Sequence, residues 1–200
     1  MSTTLRLFCA LALAGLAGCQ TLSRNECATG DWYSIGERDG ANGHTEDRYL
    51  ENAKACAAHG LPADRERWLE GRERGLERYC TARNAFSVGS DAASYQGVCR
   101  GAAQDDFLHG YELGRHLADA RSRRSHWDSE IHRIHHELDD DAKASRDDKP
   151  DTKDGDKSAP HARLSDAERV ELGFKLGVAV TRQADAERDC RELELLGQRL

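Results

Sequence analysis

Proline is scarce in this chain, with three residues among 200. Pro150 and Pro160 lie in an acidic segment, and Pro62 stands where a helix is predicted to begin. Because a proline in the interior of a helix removes a backbone hydrogen bond and breaks the helix, this distribution leaves every predicted helix intact. Apolar residues recur elsewhere at helical spacing, so the predicted fold class is all-α.

Long apolar runs are also missing. The most apolar stretch, residues 7–16, is shorter than the roughly 20 residues that a membrane-spanning helix needs. It follows Arg6 and is followed by small residues, a pattern typical of a secretory signal peptide. We therefore predict a signal peptide over residues 1–18 and no membrane-spanning helix.

The predicted signal peptide ends in Leu16-Ala17-Gly18, and Cys19 follows. This sequence resembles the lipobox of bacterial lipoproteins. The resemblance implies cleavage before Cys19, a diacylglycerol on its sulfur and an acylated amine, with fatty acids such as palmitate. Gln20, in place of Asp, implies sorting to the outer membrane by the same resemblance. Residues 19–30 would then be a lipidated tether, and a plain signal peptide is the alternative.

Basic residues are fewer than acidic ones, 29 against 36, and the formal net charge is −7. An acidic balance argues against nucleic acid as a partner and against docking on an anionic membrane surface. The expected attachment to the membrane is the N-terminal lipid.

Cysteine is present, but without the Cys-x-x-Cys spacing of a zinc knuckle. Cys27, Cys56, Cys80 and Cys99 follow one another in the first half of the chain, and in an oxidising compartment they predict two disulfides. Three pairings are possible. We favour Cys27 with Cys56 and Cys80 with Cys99, because a helical hairpin would return Cys56 to the start of its first helix.

One pattern recurs four times: a bulky apolar residue, a glycine three positions on and a second glycine four further. The copies are Tyr33-Gly36-Gly40, Trp68-Gly71-Gly75, Phe107-Gly110-Gly114 and Val170-Gly173-Gly177. Offsets of three and four place the three residues on one helix face. A glycine inside a helix costs roughly 1 kcal/mol relative to alanine, so we expect close helix–helix contact at each copy.

The predicted organisation has four parts after the tether. A disulfide-stapled Gly/Cys helical domain occupies residues 31–112, and its segment 81–101 is predicted to be a loop with a short extended piece because it lacks helical periodicity. A coiled-coil-like helix follows over 113–138. Its apolar stripe advances in steps of four and three, through Leu113, Leu117, Ala120, Arg124, Trp127, Ile131, Ile134 and Leu138.

An acidic segment, residues 139–163, contains eight Asp and no large apolar residue, and we predict a disordered linker there. Ser165 and Glu168 form a capping-box pattern that starts a C-terminal amphipathic helix, 164–200. That helix carries a second heptad stripe, which includes Cys190, either as a buried thiol or as an intermolecular bridge. Two stripes joined by a linker predict an antiparallel helix pair or an oligomer.

Many of the residues between 27 and about 120 belong to types that are individually uncommon. In order they are Asp31-Trp32, Gly36, Asp39-Gly40, Gly43, Cys56, Gly60, Gly71-Arg72, Gly75-Leu76, Tyr79-Cys80, Tyr95, Gly97-Val98-Cys99, Phe107, Tyr111 and Gly114. This set resembles a family of short Gram-negative lipoproteins catalogued as domain of unknown function 2799. The resemblance implies secretion and lipidation, and it implies no activity because the family has no assigned chemistry.

A histidine cluster, His126–His136, lies near the start of the acidic segment. His132 and His136 share a helix face that Asp139 continues, which suits a zinc, copper or nickel ion. The cluster lies on the polar side of a stripe, however, where titratable residues are ordinary, and no His-Glu-x-x-His motif occurs.

No phosphate-binding loop or nucleophile elbow occurs either, so we expect no enzymatic activity and no cofactor. The sequence favours a non-enzymatic structural or protein-interaction lipoprotein, anchored in the outer membrane and facing the periplasm. Its expected partners are the membrane, through the lipid, and another envelope protein or a second copy, through the helical stripes. The alternative is a periplasmic metal-binding lipoprotein that uses the histidine cluster.

Overall fold

A computed structural model describes residues 22–147 and 163–200, and seven helices but no strand occur in these ranges. The helices are α1 Arg24–Thr29, α2 Trp32–Ala41, α3 Asp47–Ala57, α4 Arg65–Tyr79, α5 Ala82–Ser90, α6 Ala102–Asp147 and α7 Asp166–Gly197. The predicted all-α class is confirmed. The predicted signal peptide and Cys19 lie outside the described residues.

The chain divides into two compact units. The first contains α1–α4 and the segment 95–101, and the second contains α5–α7 and the segment 91–94.

Helix starts in the first unit follow from local capping. The Asp31 side chain accepts a hydrogen bond from the Ser34 N–H, and that of Asp64 accepts one from the Arg67 N–H. Each bond satisfies a backbone donor that the first turn of a helix leaves without a partner. Pro62 lies just before α4 and interrupts no helix.

The core of the first unit is aromatic and disulfide-linked. Trp68 is fully buried, Trp32 is nearly so, and the ring of Tyr49 lies between theirs, with centroids 5.5 Å and 5.9 Å away. Cys27 is bonded to Cys56 beside this cluster. Cys80 is bonded to Cys99, so both disulfides have the pairing that the sequence favoured.

The prediction of a loop over residues 81–101 is wrong in its first half, because α5 occupies Ala82–Ser90. Thr81 caps this helix by accepting a hydrogen bond from the Asn84 N–H. Its buried residues are small, Ala85 and Gly89, so no apolar stripe marks it in the sequence. Packing against α6 stabilises it instead.

In the second unit α6 and α7 are antiparallel, since the residue numbers of their paired side chains fall in one helix as they rise in the other. Arg121 pairs with Glu194 at 3.0 Å, and Arg169 pairs with Asp141 at 2.7 Å. Residues of both predicted stripes are buried, among them Leu117, Ala120, Ile134, Leu172, Ala179, Ala186 and Cys190. Arg124, which interrupts the first stripe, is exposed.

Helix α6 ends at Asp147, not at Leu138, so the first nine residues of the predicted linker 139–163 are helical. The physical reason lies at Asp141, whose carboxylate accepts hydrogen bonds from the Arg169 side chain and the Leu164 N–H. These bonds attach the acidic end of α6 to the start of α7 and lower the pKa of Asp141. Residues 148–162 lie outside the described part of the chain.

Candidate interaction surfaces

Two copies of the glycine pattern face each other across the contact between α2 and α4. A Cβ added to Gly36 would lie 2.0 Å from the carbonyl oxygen of Trp68, and one added to Gly71 would lie 1.9 Å from that of Tyr33. The second glycines repeat this relation one turn later: a Cβ on Gly40 would meet the Arg72 oxygen and one on Gly75 the Glu37 oxygen, both at 2.1 Å. Main chain therefore touches main chain, and the close contact expected of these two copies is confirmed.

Helices α5 and α6 pack in the same way. A Cβ on Gly110 would lie 2.2 Å from the oxygen of Ala82, and one on Gly114 would lie 2.2 Å from that of Phe86. The pattern on α5 is Ala82, Ala85, Gly89, with alanine in place of the bulky residue and of the first glycine. Sequence reasoning missed this degenerate copy, although its spacing is the same.

A single rule describes both pairs. The first glycine on one helix faces the carbonyl oxygen of the first residue of the pattern on the other helix. The second glycine faces the carbonyl oxygen four residues further along that other helix. Between α2 and α4 the rule holds for both glycines in both directions. On α5, where Ala85 stands at the first glycine position, Gly89 follows the rule by facing the Tyr111 oxygen at 2.3 Å. The helices of each pair are therefore related by a local two-fold relation. Contacting positions rise together along both helices, which makes each pair parallel.

The fourth copy, on α7, breaks the expectation of close contact. Apart from the adjoining residues and the backbone of α7 itself, no atom of the described residues lies within 4 Å of a Cβ built on Gly173 or on Gly177. The bulky residues beside these glycines are in solvent, with Val170 and Phe174 both 74% exposed. The reason is that α7 packs on α6 through its opposite face, where Leu172 and Ala179 are buried.

A shallow cleft follows this uncovered copy along α7. Its lining residues are Gly173, Phe174, Gly177, Val178, Thr181, Arg182 and Asp185. We name this set, together with Val170, the α7 outer face. It combines an apolar centre with two side chains of opposite charge at one end.

Beneath the glycine contact of the first unit lies a buried polar cluster around Asp39, which is only 3% exposed. Its Oδ2 accepts hydrogen bonds from Asn52 Nδ2 and from Trp68 Nε1, both at 2.9 Å, and Arg48 Nε lies 3.9 Å from its Oδ1. Buried charges in proteins are normally paired and hydrogen-bonded. These polar contacts join α2, α3 and α4 to one another.

Arg72 is a second buried charge in the same contact, 6% exposed. Its Nε donates a hydrogen bond to the His44 carbonyl oxygen at 3.0 Å, and its guanidinium lies 5.9 Å from the centroid of a Trp68 ring. The hydrogen bond attaches the segment that follows α2 to α4, and the ring contact holds the guanidinium against its own helix, so the side chain has a structural role.

Among the described residues of the first unit, the carboxyl group of Glu26 has the most strongly lowered pKa. The backbone N–H and the side chain of Ser23, together with Arg38, donate hydrogen bonds to its carboxylate and lower its pKa from 4.5 to about 2. Ser23 and Glu26 form the capping box that begins α1. The charged form of Glu26 therefore stabilises the N-terminal turn of the unit.

The histidine cluster lies on the exposed surface of α6. His136 Nδ1 is 2.9 Å from an oxygen of Asp140, and this exposed pair is the nearest acidic contact of the cluster in the described residues. His132 and Asp139 are also exposed. Nowhere in residues 22–147 and 163–200 do three or more His, Cys, Asp or Glu side chains converge as metal ligands would.

Cys190 is a buried free thiol within the contact between α6 and α7. It packs with Leu117 and Ala120, which agrees with the buried thiol, the first of the two alternatives that the sequence left open. No helix in the described part of the chain has the length and apolar character required to cross a membrane.

The parallel glycine contacts and the Cys80–Cys99 disulfide fall in the stretch that a family model also covers, whereas Cys27 of the other disulfide lies just before it. Residues 31–116 match the family DUF2799, described as a protein of unknown function. This segment is a DUF2799 domain. Searches of the curated proteins and of the solved structures return no match. The DUF2799 domain thus includes both glycine-paired helix contacts, whereas the α7 outer face lies beyond its end.

Proposed function

We propose that the protein is a non-enzymatic lipoprotein of the outer membrane, facing the periplasm, whose DUF2799 domain is a rigid support for an interaction surface. The observation that carries this proposal is the α7 outer face. Val170 and Phe174 stand in solvent beside two glycines that nothing covers in the described residues. Apolar surface left exposed on a rigid helix is typical of a binding site for another protein.

Three features support the cellular location. The sequence begins with a signal-peptide pattern that ends at Cys19, in a stretch resembling a lipobox. Two disulfides are present, and such bonds persist in oxidising compartments such as the periplasm. Attachment by several acyl chains needs no membrane-spanning helix, since each buried methylene contributes about 0.8 kcal/mol.

The anchor is tested by producing the full chain in a Gram-negative host with radiolabelled palmitate. The chain offers a matched control, because Cys9 lies within the predicted signal peptide and Cys19 directly follows it. We expect label and sedimentation with the outer membrane in the unaltered chain and in Cys9→Ala, and loss of both in Cys19→Ala. A Cys19→Ala protein that is labelled and sorted like the other two would refute lipidation at this residue.

The interaction role is tested by crosslinking in intact cells followed by mass spectrometry of the adducts. We expect at least one adduct that includes residues of α7. A protein that stays monomeric at high concentration, and that captures no neighbour in cells, would refute an interaction role. A hydrolytic or transfer activity found in the purified protein would refute its non-enzymatic character.

A further inference from the structure

Counting the degenerate copy on α5, the glycine pattern occurs on five helices of the described chain, and four of these copies are used in pairs. Helix α2 pairs with α4, and α5 pairs with α6. Only the copy on α7 stands uncovered. In both pairs, the helix that covers one copy of the glycine pattern carries a copy of its own. The surface that fits the pattern is therefore a second copy of the same pattern.

We propose that the α7 outer face binds the same face of a second copy of this chain, with the two α7 helices crossing in parallel about a two-fold axis. The inference deepens the proposed interaction role and rests on it. In both internal pairs the two helices are equivalent by position, which is what a two-fold dimer requires of a surface that binds itself.

The rule of the internal pairs fixes the register of this dimer. Gly173 of one chain faces the carbonyl oxygen of the partner's Val170, and Gly177 faces that of the partner's Phe174. Each contact occurs twice by symmetry. Because Gly173 and Gly177 have no Cβ, the two backbones approach as closely as those of α2 and α4 do, and each Phe174 packs beside the partner's helix.

The same three-residue offset continues along the face and brings opposite charges together. After the two glycine contacts, Val178 meets the partner's Thr181, and Arg182 meets the partner's Asp185. Symmetry supplies the second Arg182–Asp185 contact. Asp185 Oδ1 accepts a hydrogen bond from Arg188 of its own helix, so the partner's Arg182 meets Oδ2 of the same carboxylate. A parallel pair of identical helices normally sets like charges near each other, so this spacing of a cation and an anion is complementary to a second copy.

Other occupants suit the face less well. An interfacial lipid-binding helix carries an unbroken row of large apolar side chains with basic residues around it, whereas this face has two glycines in its centre and Asp185 at its end. One helix crossing buries less than the roughly 1,200 Å² of a stable interface. The contact is therefore weak in dilute solution, and confinement of both copies by the proposed lipid anchor raises their effective concentration.

Cysteine crosslinking of the full chain in intact cells tests the dimer, in a Cys190→Ala background that removes the free thiol. Two exposed residues of α7 form the pair of test positions: Thr181 is four residues after Gly177 and lies on the outer face, whereas Lys175 is two residues from each glycine and lies on another side of the helix. We expect Thr181→Cys to give an oxidised species of twice the monomer mass and Lys175→Cys to give at least fivefold less of it.

A second variant separates pairing from folding. Gly173→Ala with Gly177→Ala meets no atom within the described chain, so the monomer should keep its helical signal and unfold no earlier. In the dimer each added Cβ would collide with a partner carbonyl, and we expect at least a tenfold loss of the Thr181→Cys adduct. An undiminished adduct in this variant, or equal adducts at Thr181→Cys and Lys175→Cys, would overturn the two-fold pairing.

The same experiment distinguishes this inference from the proposed function. An adduct of Thr181→Cys with a different protein, lost on the double alanine change, would overturn the self-pairing and leave the interaction role standing. A chain that does not fractionate with the envelope would refute the proposed location, whatever the crosslinks show. The expected result is envelope fractionation together with the homodimer adduct.

Discussion

The glycine contacts predict that one substitution, Gly to Ala inside a helix, has opposite effects at two places in this molecule. At Gly71 the added Cβ would lie 1.9 Å from the Tyr33 carbonyl oxygen. A relaxed carbon–oxygen contact is about 3.3 Å long, so α2 and α4 would have to separate by about 1.4 Å. At Gly173 the same methyl group meets no described atom within 4 Å.

The magnitudes follow from two competing terms. Alanine in a helix interior is favoured over glycine by about 1 kcal/mol, and this term applies at both positions. Overpacking of a close contact costs about 1–3 kcal/mol. The cost at Gly71 lies at the upper end of this range, because the obstructing atom belongs to the backbone and cannot move by a change of rotamer. We therefore expect Gly71→Ala to lower the free energy of unfolding by about 2 kcal/mol, and Gly173→Ala to raise it by up to about 1 kcal/mol.

Urea denaturation followed by circular dichroism measures both changes, in protein dilute enough to be monomeric. The two variants differ from the parent by the same single methyl group, so helix propensity cancels in their comparison. Equal effects of the same sign at Gly71 and Gly173 would refute the idea that backbone contact, not flexibility, explains the glycines of α4.

Three further predictions concern the first unit. Asp39→Ala should lower the free energy of unfolding by about 3 kcal/mol, because it leaves the buried Trp68 N–H without its acceptor; urea midpoints measure this, and a loss under 1 kcal/mol would contradict it. Replacing Cys27 and Cys56 together by serine opens a loop with a separation of 29 residues, which should cost about 3–4 kcal/mol, and a thermal melt unchanged from the parent would argue against it. The pKa of Glu26 is lowered from 4.5 to about 2 in the folded protein, so its contribution is complete above pH 4.5 and is lost as the pH falls through about 2. Between these values the parent should lose stability faster than Glu26→Gln, and parallel acid titrations of the two would contradict the assignment.

Sequence reasoning predicted most of the helices because their signals are local. Asp31 and Asp64 cap the helices that begin beside them, and the glycine spacing marked the contact of α2 with α4. Sequence reasoning missed helix α5 because Ala85 replaces the first glycine in its copy of the pattern. Its stability depends on α6, which no local pattern reports.

The α7 outer face shows a different limit of sequence patterns. The spacing of Val170, Gly173 and Gly177 indicates that a helix can approach closely, but it does not say which helix does so. Likewise, Asp141 was assigned to a linker from composition, whereas its bonds to Arg169 and Leu164 come from residues more than twenty positions away. Lipidation at Cys19 stays a prediction, since that residue lies outside the described part of the chain.

The contact of glycine with a carbonyl oxygen also has a genetic consequence. A side chain that grows too large for a core can be accommodated when a neighbouring side chain becomes smaller. The obstacle facing Gly36 or Gly71 is a peptide oxygen, which every amino acid carries, so no replacement at Trp68 or Tyr33 can remove it. A suppressor screen on Gly71→Ala should therefore recover true revertants, or changes elsewhere that stabilise the unit as a whole, but no compensating residue at the point of collision.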